Sequence, residues 1–181
     1  MHVKGLVLSV ISAATLFGCA PISRESCIND SAFDIGYSAA MDNADSEDRR
    51  RDVSKVCAKQ GREIDQAEYS EGFDNGVKAF CVADNGYRWG LKGRGYNGIC
   101  ASSAFGAAYD DGLRIYRVEQ RRTAIGNRLT SIRDRLSIIM KVFDEDKTLT
   151  ETRKRELRRE VDRLLLERSD LLAEQRNLSP S

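Results

Sequence analysis

Histidine is almost missing from this chain of 181 residues: the single copy is His2. Once the first residues are removed, as argued below, no imidazole is left for a catalytic triad, a neutral-pH general base or a metal ligand. Proline is as scarce, with Pro21 and Pro180 near the two ends, and Trp89 is the only tryptophan. Charge of either sign is not in excess. The 29 Lys and Arg, less Lys4, leave 28 against 28 Asp and Glu, and so balanced a chain lacks the basic footprint of a nucleic-acid binder. No serine occupies a Gly-x-Ser-x-Gly elbow, and the adjacent Asp110 and Asp111 would diverge on a helix rather than share a substrate. The expectation is a protein without catalysis, cofactor, metal ligand or nucleic-acid partner.

What is present begins with an exported N-terminus. Lys4 is followed by an apolar run from Leu6 to Phe17, too short to span a bilayer, and then by Gly18 and Cys19. Leu16-Phe17-Gly18-Cys19 resembles a bacterial lipobox, which implies removal of residues 1–18 and acylation of Cys19. Several acyl chains give stable anchoring where one would not. Residues 19–26 then form a short tether that holds the rest close to the membrane. In the lipoproteins this chain resembles, Asp after the cysteine favours inner-membrane retention; Ala20 stands there, so in a two-membrane bacterium the resemblance implies the periplasmic face of the outer membrane.

The mature chain carries a repeated stripe. Phe33, Gly36, Tyr37, Ala40 and Ala44 share one helical face; so do Tyr69, Gly72, Phe73, Gly76 and Phe80, and again Phe105, Ala108, Tyr109, Gly112 and Tyr116. The three copies start 36 residues apart. An interior glycine costs about 0.8 to 1 kcal/mol against alanine in a helix, so glycines four apart imply that a backbone or ring approaches them closely. The repeat predicts three helices sharing one small core. Asp30 or Ser31 is placed to cap the first, and Asp65 with Glu68 the second. Between them, Asp45 to Lys55 reads as a solvated surface segment.

Without Cys19, four cysteines remain: Cys27, Cys57, Cys81 and Cys100. In an exported chain an even number predicts two disulfides, with three connectivities possible. Cys27–Cys57 and Cys81–Cys100 is the favoured pairing, because each bridge would brace one inter-helix segment. No pair has the close spacing of a structural zinc site. From Gly86 to Gly98, Tyr87, Trp89 and Tyr96 alternate with Arg88, Lys92 and Arg94 among five glycines, a composition that reads as loop. Rings beside cations suit a glycan or an anion; the alternative is a disulfide-closed loop whose rings turn inward. It lacks the Gly-Lys-Ser/Thr ending of a nucleotide loop.

Taken together, the run Tyr69-x2-Gly72-Phe73-x2-Gly76-x3-Phe80-Cys81, the segment Asn85-Gly86-Tyr87-x2-Gly90-x2-Gly93-x2-Tyr96-x-Gly98-x-Cys100 and the run Phe105-x3-Tyr109-x2-Gly112-x3-Tyr116 resemble the bacterial lipoproteins grouped as domain of unknown function 2799. The resemblance covers about residues 27–120, with Ala101 where the pattern would have proline. It implies a periplasm-facing lipoprotein and no particular mechanism.

Beyond Phe105 the spacing changes. Ile115, Val118, Arg122, Ile125, Leu129, Ile132, Leu136, Ile139 and Phe143 form a heptad seam broken once by Arg122. Asp144 to Thr150 is a polar turn; Leu149 and Arg155 stand where a calcium loop needs Gly and Glu. Thr148 with Glu151 reads as a capping box. Leu157, Val161, Leu164, Leu165, Leu171, Leu172 and Leu178 then line a returning helix. The fold expected is mainly α: a small disulfide-braced helical domain with a Gly/aromatic loop over 27–104 and a long antiparallel coiled-coil hairpin over 105–181. The function expected is that of a structural or protein-interaction component of the envelope, meeting a partner or self-associating through the hairpin. Its alternative is a module that binds peptidoglycan or another anionic glycan through Tyr87, Arg88, Trp89, Lys92, Arg94 and Tyr96.

Overall fold

The computed structural model describes residues 22–178, so the signal segment, the Cys19 acylation site and Pro180 lie outside the described residues. The chain is mainly helical, with two disulfides in its N-terminal part and a long helical region after them. Seven helices follow in order among the described residues: α1 (Arg24–Asn29), α2 (Ala32–Met41), α3 (Ser46–Ala58), α4 (Gln66–Phe80), α5 (Ala83–Leu91), α6 (Ser103–Glu145) and α7 (Glu151–Asn177). They fall into two compact units. One runs through Phe80 and takes back Tyr96–Ile99; the other holds Cys81–Gly95 and the chain from Cys100 onward. The division lies at residue 80 rather than at 104, because the start of α6 is not a new domain but a partner of α5.

In the first unit each helix begins where a short oxygen-bearing side chain can take an orphan amide. Ser31 Oγ accepts from the Asp34 amide at 3.0 Å, and Asp45 Oδ1 from the Asp48 amide at 2.9 Å. Asp65 Oδ1 accepts from the amides of Ala67 and Glu68 at 2.9 and 3.0 Å, which starts α4 where the sequence signalled it. Cys27–Cys57 ties α1 to α3. Ile35, Ala39, Val53, Ile64, Tyr69 and Phe73 close the core around that bridge. Asn43 holds the left-handed conformation at φ 56° that asparagine tolerates. There its side-chain oxygen accepts from the Asn97 amide at 3.2 Å and its carbonyl from Asn97 Nδ2 at 2.7 Å, which fastens Tyr96–Ile99 to this unit.

The glycine stripe is a device for seating one helix backbone on another. A Cβ placed on Gly72 would stand 2.0 Å from the Phe33 carbonyl oxygen, one on Gly76 2.6 Å from that of Tyr37, and one on Gly36 2.1 Å from that of Tyr69. Gly72 and Gly76 meet Phe33 and Tyr37 in the same order along both helices, so α2 and α4 run parallel. The second unit repeats the arrangement. Gly86 and Gly90 of α5 seat on the carbonyls of Phe105 and Tyr109 at 2.5 and 2.2 Å, and Gly112 of α6 faces that of Tyr87 at 2.2 Å.

Two sequence expectations change here. The stripes do not gather into one three-helix core: those at 33 and 69 pack on each other, while the stripe at 105 packs on α5. And Gly86 to Gly98 is not wholly loop, since Ala83–Leu91 is helical. Its glycines are the contact surface of a helix rather than breaks in one.

A parallel pair needs a return connection, which Lys92 to Ser102 supplies. The Cys81–Cys100 bridge joins the residues just before α5 and α6, so it ties the beginnings of the two parallel helices.

Helix α6 continues past this pair for a total of 43 residues, about 64 Å at 1.5 Å per residue, and α7 returns antiparallel along its far part. Ile132 and Ile139 pack with Leu157 and Leu164 as a buried seam. The cap of α7 is Thr150, whose Oγ1 accepts from the Arg153 amide at 3.2 Å. Thr148, expected in that role, instead donates to Asp146 Oδ1 at 2.7 Å and shapes the turn.

Candidate functional site

The six ring and cation positions singled out from the sequence divide between the two units. Tyr96 belongs to the first, and Tyr87, Arg88, Trp89, Lys92 and Arg94 to the second. On α5, Arg88 Nη2 donates to Asn85 Oδ1 at 2.7 Å and stands 2.9 Å from Asp84 Oδ2, so its charge is balanced one turn away on its own helix. Trp89 and Arg94 come together. The Arg94 guanidinium lies 4.6 Å from the indole centroid, a cation–π distance, and the indole N–H donates to the Gly95 carbonyl at 2.9 Å. Tyr109 Oη, from α6, donates to the Arg94 carbonyl at 2.9 Å. Gly93 turns the chain at φ 62° directly above Tyr116, whose ring a Cβ would strike at 2.3 Å. The loop is thus folded back and fastened to α5 and α6 by its own rings and cations. Tyr87 and Lys92 stay exposed.

The carboxylate pair Asp110 and Asp111 is exposed, and Asp111 bonds to Arg114 at 3.3 Å. A cavity of about 210 Å³ opens among α1, α2 and α3, lined by Asp30, Asp42 and Arg49 with serines and apolar residues. The only ring hydroxyl found buried without a partner among the described residues is that of Tyr69. Burial pushes this phenol up to about 12, against a smaller opposing pull from Arg49.

A second arrangement is built along the hairpin. Arg121, Arg128 and Arg135 of α6 each reach a glutamate of α7, namely Glu174, Glu167 and Glu160, through two hydrogen bonds of 2.6 to 3.0 Å. Both sets are spaced by seven, so the ladder runs along one flank of the seam and fixes register and direction. The bonds from the arginines hold all three carboxyls below the ordinary glutamate range, against the opposing cost of desolvation. The signal in the sequence is the seven-residue recurrence of Arg121, Arg128 and Arg135 on one segment and of Glu160, Glu167 and Glu174 on the next, beside the apolar seam. Arg122, which breaks that seam, donates to the Leu178 carbonyl and so closes the end of α7, where a cation is favoured.

Among the described residues the other flank has no such ladder. Met140 is 56 % exposed, Leu165 47 % and Leu166 66 %. Among the described residues no helix is long and apolar enough to cross a membrane.

The model of one protein family, described as "Protein of unknown function (DUF2799)", matches residues 25–114. That span takes in the two interlocked helix pairs and stops where α6 leaves α5, so the hairpin lies beyond it. No curated protein and no solved structure matches the chain.

Proposed function

The chain belongs to the DUF2799 family through residues 25–114, and from that premise we propose that it is a membrane-anchored lipoprotein of the bacterial envelope that works by contact rather than by catalysis. In this reading Cys19 carries the lipid at the periplasmic face of the outer membrane, and the hairpin is an arm that meets a protein. The Leu16-Phe17-Gly18-Cys19 ending supports the anchor, and two formed disulfides suit an oxidising compartment.

The observation that carries the reading is the bare flank of the hairpin. Met140 and Leu165 expose large apolar side chains on the flank opposite the one that carries three arginine–glutamate pairs. Trp89, with its N–H spent and Arg94 over its ring, offers a poor stacking platform, so the glycan reading takes second place.

The test is a photoreactive residue placed in living cells at Leu165 or Met140, with Asp134 as a control. Crosslinks to protein from the first two positions and not from the third are expected. Cells in which neither position reacts with any protein would contradict the proposal.

A further inference from the structure

Resting on that reading, we propose that the occupant of the bare flank is the hairpin of a second copy of this chain, lying alongside with its tip in the same direction. The ladder defines the levels: Arg121 with Glu174, Arg128 with Glu167 and Arg135 with Glu160 are pairs whose numbers each add to 295. The same rule places Glu119 of α6 level with Arg176 of α7, and Arg133 level with Asp162. Both are opposite in sign, and both lie on the bare flank, one position further out than an intrachain pair reaches. Among the described residues neither of these two pairs closes within the chain; Glu119 forms its ion pair with Arg122 and Arg133 with its neighbour Asp134.

A second hairpin related by a two-fold axis along the arm sets α6 of one copy against α7 of the other, antiparallel and at the same levels. Each copy's Glu119 then meets the other's Arg176, and each Arg133 the other's Asp162. The apolar fit follows the same levels. Leu165 comes level with Thr130 and Leu172 with Thr123, beside Gly126, at which an added Cβ would find nothing within 4 Å. Leucines of one copy thus enter a strip of short side chains on the other. The α7 face agrees: Leu164 and Leu171 occupy one heptad position and Leu165 and Leu172 the next, which widens the apolar stripe from the seam toward the bare flank. A shared anchoring surface sets both arms pointing the same way.

The experiment is sedimentation of the anchored chain in detergent, at low salt, for four forms: unmodified, Glu119→Arg, the double variant Glu119→Arg with Arg176→Glu, and the double variant Glu119→Arg with Arg133→Glu. All substituted side chains are exposed, and circular dichroism verifies that each hairpin stays helical. The unmodified chain is expected to be a dimer. Glu119→Arg should weaken it at least about tenfold, because each reversed charge counts twice by symmetry, and Arg176→Glu should restore it. Leu165→Gln should also give a folded monomer. An unmodified chain that stays monomeric at about a hundred micromolar overturns the proposal. So does rescue by Arg133→Glu in place of Arg176→Glu, which would mean opposed tips. Crosslinks in cells from Leu165 only to other proteins would leave the contact function standing and refute this partner alone.

Discussion

Replacing Gly90 by alanine sets two calculable effects against each other. Alanine favours the helix by about 0.8 to 1 kcal/mol. The new methyl, however, would lie 2.2 Å from the Tyr109 carbonyl oxygen and 2.6 Å from the Leu113 amide nitrogen. Both obstacles are backbone, so no rotamer change relieves them, and α5 and α6 must part by about an ångström to reach ordinary van der Waals contact. Overpacking of this kind costs about 1 to 3 kcal/mol; at the upper end the net loss is about 2 kcal/mol. Gly106→Ala makes the same chemical change in the same unit where nothing lies within 4 Å, and should gain the propensity term alone. The two variants should therefore differ by about 3 kcal/mol in opposite directions. Urea unfolding with disulfides intact separates them, read by Trp89 fluorescence for α5 docking and by circular dichroism for total helix. At slopes of about 1 to 3 kcal/mol per molar, the midpoints should stand about 1 to 3 M apart. Coincident midpoints, or a Gly90→Ala chain as stable as Gly106→Ala, would refute the seating of one backbone on the other.

Three further outcomes follow from the packing and charge. Tyr69→Phe removes a buried hydroxyl without a hydrogen-bond partner, so stability should be unchanged or higher by up to about 1 kcal/mol; a loss of that size in urea would reveal a bonded hydroxyl. Because this phenol is raised from 10.0 to about 12 in the fold, its contribution is complete below pH 10 and falls as pH climbs from 10 toward 12, and the Phe variant should lack that alkaline decline. The carboxyls of Glu160, Glu167 and Glu174 are depressed, so the ladder's support is present above the ordinary glutamate value of about 4.3 and is lost as pH falls below it. The protection of the α7 amides, taken as their exchange relative to the intrinsic rate at each pH, should fall between about pH 5 and pH 3, less so when all three are Gln; equal protection at both pH values in the unmodified chain would count against the ladder. Replacing both Cys81 and Cys100 by alanine opens a link across 19 positions and should cost about 3 kcal/mol; an unmoved thermal midpoint contradicts the bridge's bracing role.

The parts of this fold that were legible are those written in local spacing. Ser31 and Asp65 announce helix starts, Ile125 through Phe143 announce the seam, and the glycine stripe announces a close approach. What the approach would meet was not legible, because Gly72-Gly76 and Gly86-Gly90 are the same device only 14 residues apart, and spacing within a helix does not say which other helix it faces. Glycine was weighed as a breaker of α5 by its propensity, whereas tertiary packing on Phe105 and Tyr109 overrode that cost. The candidate loop shows the same limit. Composition placed Trp89 and Arg94 near each other, but only the course of the chain through Gly93 and Gly95 decides that the ring and the cation satisfy one another.

The proposal that the hairpin is an arm held at a membrane is tested at Cys19. Cells fed labelled palmitate and then fractionated should show label in the unmodified protein and its recovery with outer membranes, while Cys19→Ala should carry no label and leave the membrane for the soluble envelope fraction. A Cys19→Ala protein that still takes up label and still sediments with membranes would contradict the account.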